Sequence, residues 1–278
     1  MRIDVITIFP ELFEPFLGCS VVGRARERGL LDARLENLRD YAEGRHRIVD
    51  DTPYGGGPGM VMKPEPWFAA LESLLAEGKG DEGGEESEEG EEGGRQVVLL
   101  TPRGELLRQE TLEELSRLDH LVLLCGRYEG IDDRVRRRWA TRELAIGEFV
   151  LGGGELAAQV IIEGVARLLP GALGDPESAR RDSYSSGLLD HRHFTKPAVF
   201  AGLAVPEVLL SGDHERIRRW RLRDALEATL RRRPRLLEEV ELDAEAEELL
   251  REICGQEDHP VRPGGDRTES TDGEDKDR

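Results

Sequence analysis

Cysteine, long apolar runs and positive charge are what this 278-residue chain has least of. The three cysteines, Cys19, Cys125 and Cys254, are odd in number and far apart. They suit neither a disulfide framework nor a zinc site, and they point to a reducing, cytoplasmic setting. No run approaches the roughly 18 apolar residues of a membrane span, so no membrane partner is expected. Met1-Arg2-Ile3-Asp4 leads into a short strand pattern, not the longer apolar core of a secretory leader. Two nucleotide-binding signatures are missing as well. Gly55-Gly56-Gly57-Pro58-Gly59-Met60 lacks the Lys-Ser/Thr that ends a phosphate loop, which argues against a nucleoside triphosphatase. Met60 also occupies the last glycine position of a dinucleotide fingerprint.

Positive charge is scarce in total but not everywhere. The formal net charge is −19. Residues 78–95 hold eight acids against two bases, and residues 255–278 hold eight against four. Both stretches are rich in Gly, Glu and Asp and poor in apolar residues, the composition of a disordered, solvated segment. Residues 216–235 are the reverse, with nine arginines against Asp224 and Glu227. Binding follows the local field, so the total does not exclude a polyanionic partner.

The densest signal is residues 121–156. An apolar run at 121–125 has the length of a buried strand and enters Gly126-Arg127-Tyr128-Glu129-Gly130. A second, 144–146, enters Gly147-Glu148-Phe149-Val150-Leu151, followed by Gly152, Gly153 and Gly154. Glycine permits positive φ and lets a ligand approach the main chain. In open α/β sheets, ligands bind beyond the carboxyl ends of strands. The expectation is a small-molecule pocket built mostly of backbone.

Around this centre the elements alternate. Strands are expected at 2–8, 31–38 and 97–100. Helices are expected at 20–27, capped by Ser20 and closed by Gly29, at 67–75, from Thr111 to about 118 through a capping box with Glu114, at 132–140 and at 155–169. Leu156, Val160, Ile161, Val165, Leu168 and Leu169 form one apolar face of the last of these. The long aperiodic loop 39–63 suits a binding role. Residues 173–197 show no clean periodicity. Ile217, Leu222, Leu226 and Leu230 mark a basic helix ending before Pro234, with two short helices after it. The fold class is therefore α/β with a mainly parallel sheet, plus a small helical C-terminal domain. The expected parts are 1–172 (α/β, interrupted by the acidic insert 78–95), a linker 173–187, a helical domain 188–254 and an acidic tail 255–278. Trp220 is expected in the core and Cys125 as a small buried apolar residue. His-x-His at His191 and His193 with nearby acids is one pattern of a metal site, but no third ligand is spaced convincingly; the two read as surface or fold-supporting histidines, and no metal ligand is assigned.

Five segments occur together in order: RHRIVDDTPYGGGPGM (45–60), CGRYEGIDDRV (125–135), IGEFVLGGGEL (146–156), DSYSSGLLDHRHFTKP (182–197) and VLLSGDHERIRRWR (208–221). This set resembles the bacterial tRNA (guanine-N1)-methyltransferase family, and the resemblance spans about residues 1–254. It implies the SPOUT class, with a deep trefoil knot whose loops hold S-adenosylmethionine. It implies a homodimer with active sites at the subunit interface, and methyl transfer to N1 of guanosine-37, just 3′ of the anticodon in tRNA. A Mg2+ requirement is implied too, with no site for the ion visible.

Guanine N1 carries a proton, so methylation needs a base, a donor or cation at O6 and an aligned sulfonium. By resemblance Asp182 is the base and Arg167 the O6 partner. An aspartate of ordinary basicity is weak for this task, so proton loss must be assisted or coupled to methyl transfer. Asp190 is the rival base. Resemblance places the donor on Leu100, Thr101, Pro102, Gly126, Tyr128, Glu129, Gly130, Ile146, Gly147, Glu148, Phe149, Val150, Leu151, Gly153 and Gly154. Arg45, His46, Arg47, Arg218 and Arg219 are the expected RNA contacts. A silent RNA-binding relative, and an enzyme with another target nucleotide, are the competing functions.

Overall fold

The computed structural model describes residues 1–77, 94–174 and 182–256. Most of the acidic insert, part of the expected linker and nearly all of the acidic tail lie outside the described residues. The chain divides into two compact units, Met1–Arg180 and Arg181–Arg278.

In the first unit the strands are β1 (Arg2–Thr7), β2 (Asp32–Asn37), the short β3 (Asp50–Asp51) and β4 (Val61–Met62), β5 (Arg95–Leu106), β6 (His120–Cys125) and β7 (Arg142–Ala145). Five of them form a parallel sheet in the order β2-β1-β6-β5-β7. The helices are α1 (Glu14–Leu17), α2 (Ser20–Glu27), α3 (Pro64–Glu77), α4 (Gln109–Ser116), α5 (Asp133–Trp139) and α6 (Glu155–Leu168). Side chains on a strand alternate between faces. A run such as Leu121-Val122-Leu123-Leu124-Cys125 therefore feeds two cores at once. Leu121, Leu123 and Cys125 pack with Val22, Leu115, Ile161 and Val165. Val122 and Leu124 pack with Trp67, Leu71 and Val135. Each fully buried side chain of this size contributes about 1.5–3 kcal/mol.

Some local expectations are corrected. β5 does not stop at Leu100. Pro102 lacks the N–H a ladder needs, and the β5–β7 register shifts between Leu100 and Glu105 before pairing resumes. The strand returns beside β7 only because residue 104 is glycine: a Cβ there would lie 2.5 Å from the Leu144 nitrogen. Ser20 is the first residue of α2, not its cap, and Cys19 holds the cap position without a side-chain bond. Thr111 is buried within the first turn of α4, which starts after Arg108, so no capping box forms there. Gly29 follows the end of α2 with φ +72°, as a closing glycine should. On α6, Leu156 and Val160 are 55% and 45% exposed instead of belonging to the core face.

In the second unit α7 (Glu207–Leu210), α8 (His214–Arg232), α9 (Leu236–Glu239) and α10 (Ala244–Gln256) follow a hairpin of β8 (Val199–Phe200) and β9 (Leu203–Ala204). The unit is thus not purely helical. Ala201 and Gly202 both take positive φ, the requirement of a tight two-residue hairpin turn. Leu188, Leu226, Ala246, Leu249 and Ile253 form the core. Trp220 lies outside it, half-buried beside the rings of His191 and Phe194.

Asp224, only 6% exposed, ties the segment before the hairpin to α8. It accepts the Arg192 N–H at 2.7 Å and Arg192 Nε at 2.8 Å. Burial pushes its carboxyl pKa up, but the hydrogen bonds and charge of Arg192 more than offset this and hold it below the ordinary value. A depressed folded-state pKa contributes stability above the unfolded value, about 3.9, and the contribution is lost as pH falls through the folded value. Asp224→Ala is expected to destabilise this unit by about 1–3 kcal/mol at neutral pH. In denaturant titrations the gap from the parent protein should shrink below about pH 4; a pH-independent gap would contradict the ion-pair account.

Candidate functional site

β5, β6 and β7 end at the same edge of the sheet: Leu100 pairs with both Cys125 and Leu144. The loops that leave these strands enclose a cleft of about 360 Å³. The β5 bend supplies Leu100, Thr101, Pro102 and Arg103; the loop after β6 supplies Gly126 to Ile131; the loop after β7 supplies Ile146, Gly147 and Phe149 to Gly154. Every residue expected in the donor pocket lines this cleft except Glu148. Arg103, Ile131 and Ala157 line it as well. Nothing in the sequence pattern singled them out, because each enters through the β5 bend or the packing of α5 and α6.

Main-chain contact builds the floor. Gly154 N–H donates to Gly126 O at 3.0 Å, and Arg127 and Gly153 form an antiparallel bridge. A Cβ on Gly154 would stand 2.9 Å from Cys125 Cα and 3.2 Å from Leu100 Cβ. Glycine is therefore a packing requirement at that crossing. Tyr128 takes φ +60°, a conformation that is uncommon for a non-glycine residue.

The long loop 39–63 buttresses the loop after β6. Glu129 N–H donates to Met60 O at 3.0 Å, Met62 N–H to Gly130 O at 2.9 Å, and Asp132 N–H to Met62 O at 3.0 Å. Gly59, at φ +89°, leaves the space that the Glu129 carboxylate fills. The glycine run thus shapes the wall behind Glu129.

Beneath the floor lies a polar network. Glu155, the first residue of α6, is 1% exposed. Its carboxylate accepts Thr7 Oγ1 at 2.9 Å and Arg127 Nε at 2.9–3.1 Å. A carboxylate at a helix N-terminus also gains from the helix dipole. The Arg127 guanidinium rests 4.5 Å from the centre of the Phe9 ring. Burial, then the nearby Glu155 charge, push the Cys125 thiol pKa well above its usual range, with Arg127 opposing. That thiol is a packing group. On the rim Arg136 joins Asp133 at 2.6 Å and Glu143 at 3.1 Å, which offsets those charges.

The remaining candidates fall elsewhere. Arg167 sits in the last turn of α6, in the first unit. Asp182 belongs to the second unit, half-buried, its carbonyl accepting the Ser185 N–H at 3.3 Å. Asp190 lies in the same loop region, with its N–H on Ser183 Oγ at 2.9 Å. Burial raises its pKa, but hydrogen bonds from His193 and the His191 N–H outweigh that and leave it lowered.

Arg45, His46 and Arg47 occupy an exposed turn, where Arg47 pairs with Asp40. Arg218 bonds Glu215 and Glu245 at 2.6 Å, and Arg219 bonds Glu252 at 3.2 Å. These arginines pin α10 to α8, and their charge is largely offset within the unit. Arg221, exposed on the same helix, lines a second cavity with Lys196, His191 and Phe194.

A family model described as tRNA (Guanine-1)-methyltransferase TrmD matches residues 1–239. The tRNA (guanine-N(1)-)-methyltransferase of Moorella thermoacetica is 54% identical over 257 residues, covering 92% of this chain and 98% of that protein. The proteins of the same name from Dictyoglomus turgidum and Brevibacillus brevis are 50% and 49% identical over 253 residues. Both alignments cover 91% of this chain, with 96% and 98% of the respective relatives.

The buried network sets a measurable expectation. Glu155→Ala strips the partner from Arg127 and from the Thr7 hydroxyl, at about 2–4 kcal/mol. Glu155→Gln, which still accepts a hydrogen bond, should lose less. Amide exchange in residues 126–131 and 152–154 should quicken in the Ala variant. Equal stability of the two variants would show that the ion pair does not brace the loops.

Proposed function

The chain belongs to the tRNA (guanine-N1)-methyltransferase family, and from that premise we infer that it transfers a methyl group from S-adenosylmethionine to N1 of guanosine-37, 3′ of the anticodon, in tRNA. The observation that carries this is the cleft at the ends of β5, β6 and β7, whose lining combines apolar side chains with close main chain.

The cleft residues fit the donor. Gly154 and Gly126 let the two loops pack closely and so shape the floor, Leu100, Ile146 and Leu151 offer apolar surface, and Glu129 supplies a carboxylate. When bound there, S-adenosylmethionine would supply an electrophilic methyl on a cationic sulfur, and Glu129 would be the carboxylate of the lining able to offset that charge. Asp182 accepts the N1 proton as the N1–methyl bond forms and the methyl–sulfur bond breaks, its electron pair staying on sulfur as S-adenosylhomocysteine leaves, and Arg167 donates to the charge gathering on O6. Proton transfer to a weak carboxylate base becomes feasible because the developing charge is met on O6 while N1 gains its methyl. The target guanine must leave the anticodon-loop stack, which costs about a few kcal/mol.

For tRNA contact we favour the exposed Arg45 and His46, and Arg221 with Lys196 on the second unit. Arg218 and Arg219 act mainly through their acidic partners. The SPOUT knot belongs to the same proposal, with the loops after β5, β6 and β7 at its crossing. So does the homodimer: Leu12, Leu156 and Val160 are 46%, 55% and 45% exposed. They lie near one another, since the Gln159 amide donates to Leu12 O at 2.9 Å. No helix among the described residues is long and apolar enough to cross a membrane, and a cytoplasmic location is part of this proposal. A Mg2+ requirement is inherited from the family.

Two expectations follow from these assignments. With labelled S-adenosylmethionine and unmodified tRNA transcript, Asp182→Asn should bind both substrates yet transfer at least about 100-fold more slowly in a single turnover. A near-normal rate would remove Asp182 from the mechanism, and mapping the methylated base separates guanosine-37 from another target or from no activity. Changing Leu156 and Val160 together to Glu should yield a monomer by light scattering, with methyl transfer lost. A dimer that persists would place the interface elsewhere.

A further inference from the structure

Outside the cleft, one cluster of side chains has the chemistry of a binding site that methyl transfer does not use. Residues 189–195 lie outside helix and strand. There the rings of His191 and His193 stand with their centroids 4.5 Å apart. The Asp190 carboxylate reaches both: Oδ2 is 2.8 Å from His193 Nε2 and Oδ1 is 3.9 Å from His191 Nδ1. One ligand atom from each of the three residues lies within 4.8 Å of the others. We propose that Asp190, His191 and His193 form a site for a borderline-soft divalent cation of the zinc class.

The donor set selects the ion. Two imidazoles and one carboxylate suit zinc and its neighbours, whereas magnesium and calcium take oxygen ligands. Ligand atoms about 2.0–2.1 Å from a tetrahedral zinc sit about 3.3 Å from one another. The separations here bracket that value; His191 Nδ1, 3.2 Å from Arg192 O, gives up that contact or the ring offers Nε2 instead, so side-chain rotation closes the site. His193 is exposed while Asp190 and His191 are half-buried, which leaves a coordination position facing solvent.

The backbone is already held in place, so ordering the loop demands little of the ion. Asp190 N–H donates to Ser183 Oγ at 2.9 Å, His191 N–H to Asp190 Oδ1 at 2.7 Å, and Arg192 N–H to Asp224 Oδ2 at 2.7 Å. Arg192, the cation between the two histidines, is committed to Asp224 and lies toward the Trp220 ring. Lys196 and Arg221 line the adjoining cavity with both histidines. Their positive charge limits cation affinity without removing a ligand. The spacing Asp-x-x-His over His-x-His is local in sequence; the carboxylate qualifies as third ligand because its oxygens lie 2.8 Å and 3.9 Å from ring nitrogens of His193 and His191.

The test uses the full-length chain freed of metal with a chelator. Zn2+ is titrated calorimetrically against a competing chelator, and Co2+ serves as an optical probe. One Zn2+ per chain is expected, retained in large excess of Mg2+, with visible Co2+ bands of low coordination number. His193→Gln, at an exposed position that tolerates change, and His191→Ala should each weaken binding at least tenfold. Thermal melts establish that each variant is folded. Absence of saturable binding, or an affinity unchanged in a folded His193→Gln protein, overturns the proposal. Neither readout depends on methyl transfer, so failure here leaves the proposed activity untouched.

Discussion

The loops that leave β6 and β7, the two strands flanking β5, must lie against each other with no side chain between them. Gly154 meets Gly126 by a main-chain hydrogen bond, and Gly154 has Cys125 and Leu100 close beneath it. Contact this close has consequences on both sides. Above it, backbone amides and carbonyls become the wall of a cleft. Below it, the helix that starts at Glu155 has to begin inside the protein, so its first carboxylate is buried. A buried carboxylate needs partners, and Arg127 and Thr7 provide them. The ion pair is therefore a result of the loop crossing as well as a brace for it. Arg127 comes from the loop after β6 and Glu155 from α6, so the pair links two segments whose relative position defines the cleft.

The buttress from residues 39–63 obeys the same logic. A loop in which Tyr128 adopts positive φ relaxes unless something holds it. Met60 and Met62 do so through backbone hydrogen bonds to residues 129, 130 and 132. The glycine run looked like a phosphate loop missing its lysine. Its role in the fold is to let a chain segment pass close to Glu129. Preorganisation of this kind removes motion that a donor pocket would otherwise have to freeze on binding.

How much of this was legible in the sequence depends on how local each cause is. β6 and its loop were plain because an apolar run ending in glycines is a local signal. Most residues that the resemblance assigns to the donor line the cleft, but Glu148 does not, and Arg103, Ile131 and Ala157 were not anticipated. The β5 bend was not, since Thr101-Pro102 reads as a stop and only the pairing with β7 restarts the strand. The Thr111 capping box failed because residue 111 is buried, which a motif cannot reveal. Leu156 and Val160 have the spacing of a core face, yet the sheet covers the neighbouring stripe of α6 and leaves them outside. The β8–β9 hairpin was hidden because two-residue strands carry almost no alternation. Trp220 had the spacing of a core residue, but the ring cluster with His191 and Phe194 draws it to the edge of the unit.

Charge shows best why composition alone misleads. Nine arginines between 216 and 235 look like a nucleic-acid surface. Arg218 and Arg219 instead meet Glu215, Glu245 and Glu252 and fasten one helix to another. What remains for a polyanion is the subset whose charge is not used internally, and that subset is decided by packing. A protein with a net charge of −19 can engage RNA only where such cations stand apart from its acids, because beyond about 8–10 Å salt screens the rest. A cationic methyl donor faces the opposite situation. The proposed pocket would need only backbone, apolar surface and one nearby carboxylate. The two substrates thus place opposite electrostatic demands on one chain. Glycine-built main chain can meet the first demand whatever the global charge, while the second requires particular arginines and lysines kept clear of the abundant glutamates.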